Sequence, residues 1–236
     1  MFRTARHIVL YMGMAFTMLI ALHSLRYLFD GAEAVSALSE TDALLEYLSG
    51  RQSTFWYSFS ISQKPLYHLN EFAVVGHISA ASIALLAGIL QLTPFIRQNA
   101  PLLHRASGYL YAFTAILGLG LGAYISFSLP MIGGTKTIIS NVIGGALGIG
   151  FVVVSFIYIS KKQYLKHAQW MLRSYAVLMA ILTVYLLVAV FALMGLDAER
   201  GYGLAHMICF PINLILVELF IRKSSSSGIL VLTHSQ

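Results

Sequence analysis

The sequence predicts an all-α fold, a polytopic transmembrane bundle of six helices with both termini in the cytoplasm. Three observations lead there. The chain is 236 residues long, 58% hydrophobic and 10% charged, with a mean hydropathy of +0.78, whereas a soluble domain carries about 25% charged residues. Six apolar runs are long enough to cross a hydrocarbon core of about 30 Å, which takes about 20 helical residues. The loops between those runs alternate in charge.

The first run, His7–Phe29, follows Arg3 and Arg6 as a signal peptide would. A secretory apolar region, however, spans only about 7–15 residues and ends at a small-residue cleavage site. Here the run continues to Leu22 and then meets His23, Leu25 and Arg26, so an uncleaved helix is expected over residues 1–29. Residues 30–70 form the one sizeable extramembrane segment. Within it Thr41, Asp42, Leu44, Leu45, Leu48 and Gly50 read as a short amphipathic helix with a capping start and a glycine stop. Phe55, Trp56, Tyr57 and Phe59 read as an interfacial aromatic cluster. The segment is expected to be a hairpin tethering the first two spans; the sharper reading is a lid over a site on the outer side.

The remaining spans are Phe72–Ile96, Gly108–Ile132, Thr137–Ser160, Gln169–Leu196 and Tyr202–Ile221, which make residues 71–223 a five-helix region. Residues 224–236, opening on a run of serines, read as a flexible tail. Helices are expected because every backbone polar group must be paired inside lipid, and runs such as Ala176–Ala192 lack the alternation of barrel strands. Gly118, Gly120 and Gly122, then Gly144, Gly145, Gly148 and Gly150, supply small-xxx-small spacings for close helix contact, or room for a flat cofactor. Pro130 and Pro211 are candidate kinks.

Orientation follows from the basic residues. Arg3 and Arg6, Arg97 and Arg105, Lys161, Lys162 and Lys166, and Arg222 and Lys223 fall in alternate connections, while Asp30, Glu33, Glu40, Asp42, Glu46, Asp197 and Glu199 fall in the others. Short basic loops stay in the cytoplasm. The net charge of +6 is therefore a topological signal and no sign of nucleic-acid binding. The single cysteine, Cys209, excludes an intrachain disulfide and any multi-cysteine metal site. No Walker loop, dinucleotide fingerprint, HExxH motif or GxSxG elbow is present.

Ionisable residues at membrane depth mark functional candidates. They divide into an outer group, His23, Arg26, His68, Glu71, His77 and His206, and an inner group, His7, His104, Arg105, His167, Arg173 and Glu218, with Gln91 and Asn213 somewhat deeper. Arg173 and Glu218 fall at similar depth and would pair if their helix faces meet. Haem b is one cofactor such histidines can hold: His77 with His206 or His23 for an outer haem, His104 with His167 for an inner one.

Two stretches carry a family resemblance. His77-Ile-Ser, Gly88, Gln91-Leu, Arg97 and His104-Arg105-Ala-Ser-Gly108-Tyr109-Leu-Tyr111 form the first, and His167-Ala-Gln-Trp170-Met171-Leu-Arg173-Ser174-Tyr175 the second. With Asn213-Leu, Glu218 and Ile221-Arg222 they resemble a bacterial integral-membrane family known only as domain of unknown function 2306. The resemblance implies a multi-pass protein of the bacterial inner membrane and supplies no reaction or substrate, so whether the chain is an enzyme stays open. It favours a functional role for His104, Arg105, His167, Arg173, Glu218, Gln91 and Asn213, as an inner-leaflet site for an anionic or quinone-like ligand or for a haem. A redox or haem- or quinone-binding protein is the leading expectation. A small-solute or proton transporter and a non-catalytic assembly subunit are the rivals.

Overall fold

Small residues decide how these helices meet. The computed structural model describes residues 2–50 and 54–226, and every regular element among them is helical. Helix α1 (Phe2–Ser24) is followed by the single turn α2 (Tyr27–Asp30), a 3-10 helix (Gly31–Ser39), α3 (Glu40–Ser49) and α4 (Phe55–Leu69). The bundle continues through α5 (Glu71–Leu92), the short α6 (Pro94–Asn99), α7 (Pro101–Ser128), α8 (Gly134–Ser160), α9 (Tyr164–Leu178), α10 (Ala180–Leu193) and α11 (Ala198–Ser226). Among the described residues five stretches are long and apolar enough to cross a membrane: Glu71–Leu92, Pro101–Ser128, Gly134–Ser160, Tyr164–Leu193 and Ala198–Ser224.

The most extensive contact joins α5 and α7. Ala80, Ala84 and Ala87 of α5 and Ala112 and Ala115 of α7 are all buried, and a methyl group added at Gly118 would stand 3.0 Å from the Ala81 amide nitrogen. Backbones thus touch where an ordinary side chain would hold them apart. Gly88 plays the same part toward α9, since a Cβ there would enter the Tyr175 ring. The Tyr175 hydroxyl donates to the Leu85 carbonyl at 3.2 Å, and Tyr111 meets Ser174 at 2.8 Å, so these buried phenols are satisfied across helices.

Several boundaries differ from the sequence expectation: α1 ends at Ser24 and not at Phe29, α5 ends at Leu92 and not at Ile96, and the expected Gln169–Leu196 span is interrupted at Met179. Helix α7 begins at Pro101, where proline has the right φ and no amide to satisfy, so His104 and Arg105 lie in its first turns and not in a loop. His167 likewise sits inside α9. Helix α11 continues to Ser226, past Lys223, where a tail was expected to start; residues 227–236 lie outside the described residues.

One end of the bundle is capped by the segment from Gly31 to Leu69. The buried Asp42 carboxylate accepts the amides of Trp56 and Tyr57 at 3.1 and 2.7 Å, capping the first turn of α4 from α3. Glu71, at the head of α5, accepts the Ala32 amide at 2.8 Å. Glu33 bridges to Lys64 at 2.5 Å and His68 at 3.0 Å, and hydrogen bonds from those two groups hold its carboxyl below the usual carboxylate range. The Glu33 carboxylate's part in this latch is present at neutral pH and is lost as pH falls through that lowered value.

Gly88→Ala should therefore destabilise the detergent-solubilised protein by about 1–3 kcal/mol, the usual cost of overpacking. Gly120→Ala, where nothing lies within 4 Å, should leave the thermal midpoint unchanged or raised.

Candidate functional site

The α5–α7 contact also fixes a histidine. His77 points its ring at the glycine strip of α7, where a Cβ on Gly122 would come within 2.7 Å of the imidazole. Its Nδ1 lies 2.7 Å from the Gly118 carbonyl oxygen. A carbonyl can only accept, so Nδ1 carries the proton, and the neutral ring leaves Nε2 as a bare acceptor. On α11 the buried His206 repeats the arrangement, with Nδ1 3.0 Å from the Tyr202 carbonyl oxygen. Among the described residues neither Nε2 has a protein partner, and neither is sealed from the surrounding space.

Both rings face one cavity of about 230 Å³. Its walls come from α1, α5, α7, α8, α10 and α11, with Gly118, Gly122 and Gly145 among them, and its roof from Tyr27 of α2 and from Leu38, Trp56, Phe59 and Tyr67 of the 3-10 helix and the capping segment. An unbroken aromatic series runs down from this roof. Trp56 meets Phe59 at 5.5 Å between ring centres, Phe59 meets Tyr202 at 5.2 Å, and Tyr202 meets His206 at 4.2 Å. Four phenols, Tyr27, Tyr67, Tyr185 and Tyr202, gather here and influence one another electrostatically. Burial first, and then the neighbouring phenols Tyr67 and Tyr185, push Tyr27 up; burial does the same for Tyr67. These hydroxyls stay protonated and remain hydrogen-bond donors. The lining holds no Asp, Glu, Lys or Arg.

The cavity floor coincides with an interruption at Met179 between α9 and α10, where Val177, Leu178, Ala180 and Ile181 line the space. Asn213 of α11 clasps this break. Its Nδ2 donates to the Ala176 carbonyl at 3.0 Å, and its Oδ1 accepts from the Thr183 hydroxyl at 2.7 Å. Thr17 of α1 reaches the Met179 sulfur at 3.4 Å.

Most of the remaining sequence candidates lie toward the other end of the bundle. Arg173 and Glu218 pair through two nitrogens, Nε to Oε1 at 2.5 Å and Nη2 to Oε2 at 3.2 Å, with the guanidinium 4.6 Å from the Trp170 ring centre. Gln91 donates to the His104 carbonyl and the Ser107 hydroxyl, both at 2.6 Å, fixing the first turn of α7. His167 is held by Ser155, 2.7 Å from its hydroxyl and 3.1 Å from its carbonyl oxygen. His104 lies within electrostatic reach of Arg97 and His167, and its buried Nδ1 has no partner. Arg105 is exposed and makes no ion pair among the described residues. His23 is exposed and outside the cavity lining, so of the two outer pairings considered only His77 with His206 shares a cavity.

A family model described as "Predicted membrane protein (DUF2306)" matches residues 74–221, more than half of the chain. The chain belongs to this family. No curated protein and no solved structure matches it. The DUF2306 region runs from the start of α5 almost to the end of α11 and holds both cavity histidines and the Arg173–Glu218 pair. It leaves out α1 and the capping segment, which supply part of the roof. Tyr27, Tyr67, Tyr185 and Tyr202 are the cavity residues that sequence reasoning missed, whereas Trp56 was read within the interfacial aromatic cluster. Aromatic residues near the ends of apolar helices carry the same signal as a membrane-interface belt.

Asn213→Ala leaves the Ala176 carbonyl and the Thr183 hydroxyl without these partners in an apolar setting. It should lower stability by about 1–3 kcal/mol, read by thermal denaturation in detergent, while Asn213→Gln should recover little because its amide is displaced by a methylene.

Proposed function

We propose that this is a six-span protein of the bacterial inner membrane, with both termini cytoplasmic, that binds a quinone-class lipophile in its extracytoplasmic half. The carrying observation is the pair of imidazoles, His77 and His206, each tied through Nδ1 to a backbone carbonyl and each with a free Nε2 on one apolar, aromatic cavity. Two acceptors suit the two hydroxyls of a hydroquinone, and the surrounding phenols suit the carbonyls of its oxidised form. The mostly apolar lining with a few convergent polar groups has the character of a small-molecule site.

Orientation rests on charge. Arg97, Arg105, Lys161, Lys162, Lys166, Arg222 and Lys223 gather opposite the cap, and the acidic residues Asp30, Glu33, Glu40, Asp42 and Glu46 gather on it. The sixth span is α1, whose 23 residues suffice for a core about 30 Å thick.

Haem b is the second reading, because His77 and His206 have the donor chemistry of axial ligands and a bound haem would supply one-electron redox chemistry. The cavity of about 230 Å³ lies below the roughly 300–1,000 Å³ of ordinary ligand sites, which favours one or two fused rings as occupant.

Trp56 lines the cavity and is its natural reporter. Titration of purified protein with 2-methyl-1,4-naphthoquinone should quench Trp56 fluorescence saturably. Trp56→Phe should remove that signal, and His77→Gln or His206→Gln should each weaken binding by about tenfold, equivalent to about 1.4 kcal/mol. Absence of saturable quenching rules out the quinone reading, and a Soret band that shifts with dithionite would transfer the site to haem. For topology, Ser62→Cys should react in intact cells with a membrane-impermeant maleimide and Gln98→Cys should not; the reverse pattern would overturn the assigned orientation.

A further inference from the structure

The cavity is uncharged along its walls, yet one cation acts on it from behind them. Arg26 follows α1 and is half-buried beneath the 3-10 helix. Among the described residues its side chain makes one hydrogen bond, from Nη2 to the Ala34 carbonyl at 3.3 Å. Its Nε is sealed from solvent with no acceptor. Glu33 is engaged with Lys64 and His68 and Glu71 with the Ala32 amide, and Glu40, which acts on the neighbouring His23, is exposed and forms no ion pair with Arg26 among the described residues. Asp30, although close in sequence, is exposed and forms no ion pair with it. The charge of Arg26 reaches the phenols of Tyr27 and Tyr185, both of which line the cavity.

A guanidinium withdrawn from water without a counter-charge is costly, and the cost falls when an anion lies within its field. Tyr27, the next residue in the chain, and Tyr185 lie within electrostatic reach of Arg26 and line the cavity, and a phenol hydroxyl can donate toward a negative oxygen. We infer that the occupant carries an ionised oxygen at the Arg26 end of the cavity, held by Tyr27 and Tyr185, as in an acidic hydroxyquinone. This rests on the reading of the cavity as a ligand site and narrows it from neutral quinones to anionic ones. Arg26 is here a specificity determinant acting through the two tyrosines.

A matched pair of probes tests this by Trp56 fluorescence at neutral pH: 2-hydroxy-1,4-naphthoquinone, which is ionised, and 2-methyl-1,4-naphthoquinone, which is neutral. The wild-type protein should prefer the anion by about tenfold, equivalent to about 1.4 kcal/mol. Arg26→Gln should remove that preference while leaving affinity for the neutral probe unchanged, and Arg26→Lys should keep most of it. Equal wild-type affinities for the two probes overturn the inference but leave the ligand site standing. Parallel weakening of both probes in Arg26→Gln also overturns it, since that is the mark of a residue that only holds the roof together. Failure of both probes to bind removes the inference and the quinone reading together. If Arg26→Gln does not fold, the wild-type ratio and Arg26→Lys decide the matter alone.

Discussion

Backbone contact between α5 and α7 sets the geometry of both ends of this molecule. Helices carrying alanine and glycine on their facing sides approach until a main-chain carbonyl of one is within reach of a side chain of the other. At one end this brings the Gly118 carbonyl to His77, and at the other the His104 carbonyl to Gln91. Larger residues on either face would separate the helices and strand both polar groups in an apolar medium that offers no substitute partners. The small-residue strip therefore does more than pack: it selects the tautomer of His77 and with it the chemistry available in the cavity.

The two ends differ in how completely their polar groups are used. Near the Arg173–Glu218 pair, most candidates are committed to one another or to the backbone: the ion pair is doubly bonded and stacked on Trp170, Gln91 is spent on the start of α7, and His167 is held by Ser155. These contacts join separate helices of the bundle. Toward the capped end, the Nε2 atoms of His77 and His206 and the phenols of Tyr27, Tyr67, Tyr185 and Tyr202 share one cavity, and among the described residues the two Nε2 atoms have no protein partner. That spare hydrogen-bonding capacity around a cavity is what supports the proposed binding site.

Much of the fold was legible because composition and periodicity act locally. Runs of apolar residues, the glycine strips, the Gly50 stop of α3 and the Arg173–Glu218 pairing can all be read from spacing and depth. The site was legible only in part. His77 and His206 stood out as polar residues in apolar helices, but nothing along the chain shows that Tyr27, Tyr67, Tyr185 and Tyr202 surround them, because each comes from a different element. The same limit explains the starts of α7 and α9. Basic and histidine-rich turns look like loops until Pro101 or the helix hydrogen bonds show otherwise. The interruption at Met179 had no local signal at all, since neither glycine nor proline lies there and its cause, Asn213, is on another helix.

That interruption bears on biogenesis. A carbonyl diverted from its helical partner is costly in lipid, so the segment from Tyr164 to Leu193 has every reason to enter the bilayer as one straight rod. Only when α11 arrives beside it does Asn213 supply both a donor for Ala176 and an acceptor for Thr183. The interruption at Met179 is thus supported by a residue of another helix and not by the segment that carries it. The cavity floor takes its final shape last, after the closing helix has been delivered, which leaves the nascent bundle without a finished pocket until synthesis of the membrane region is nearly complete.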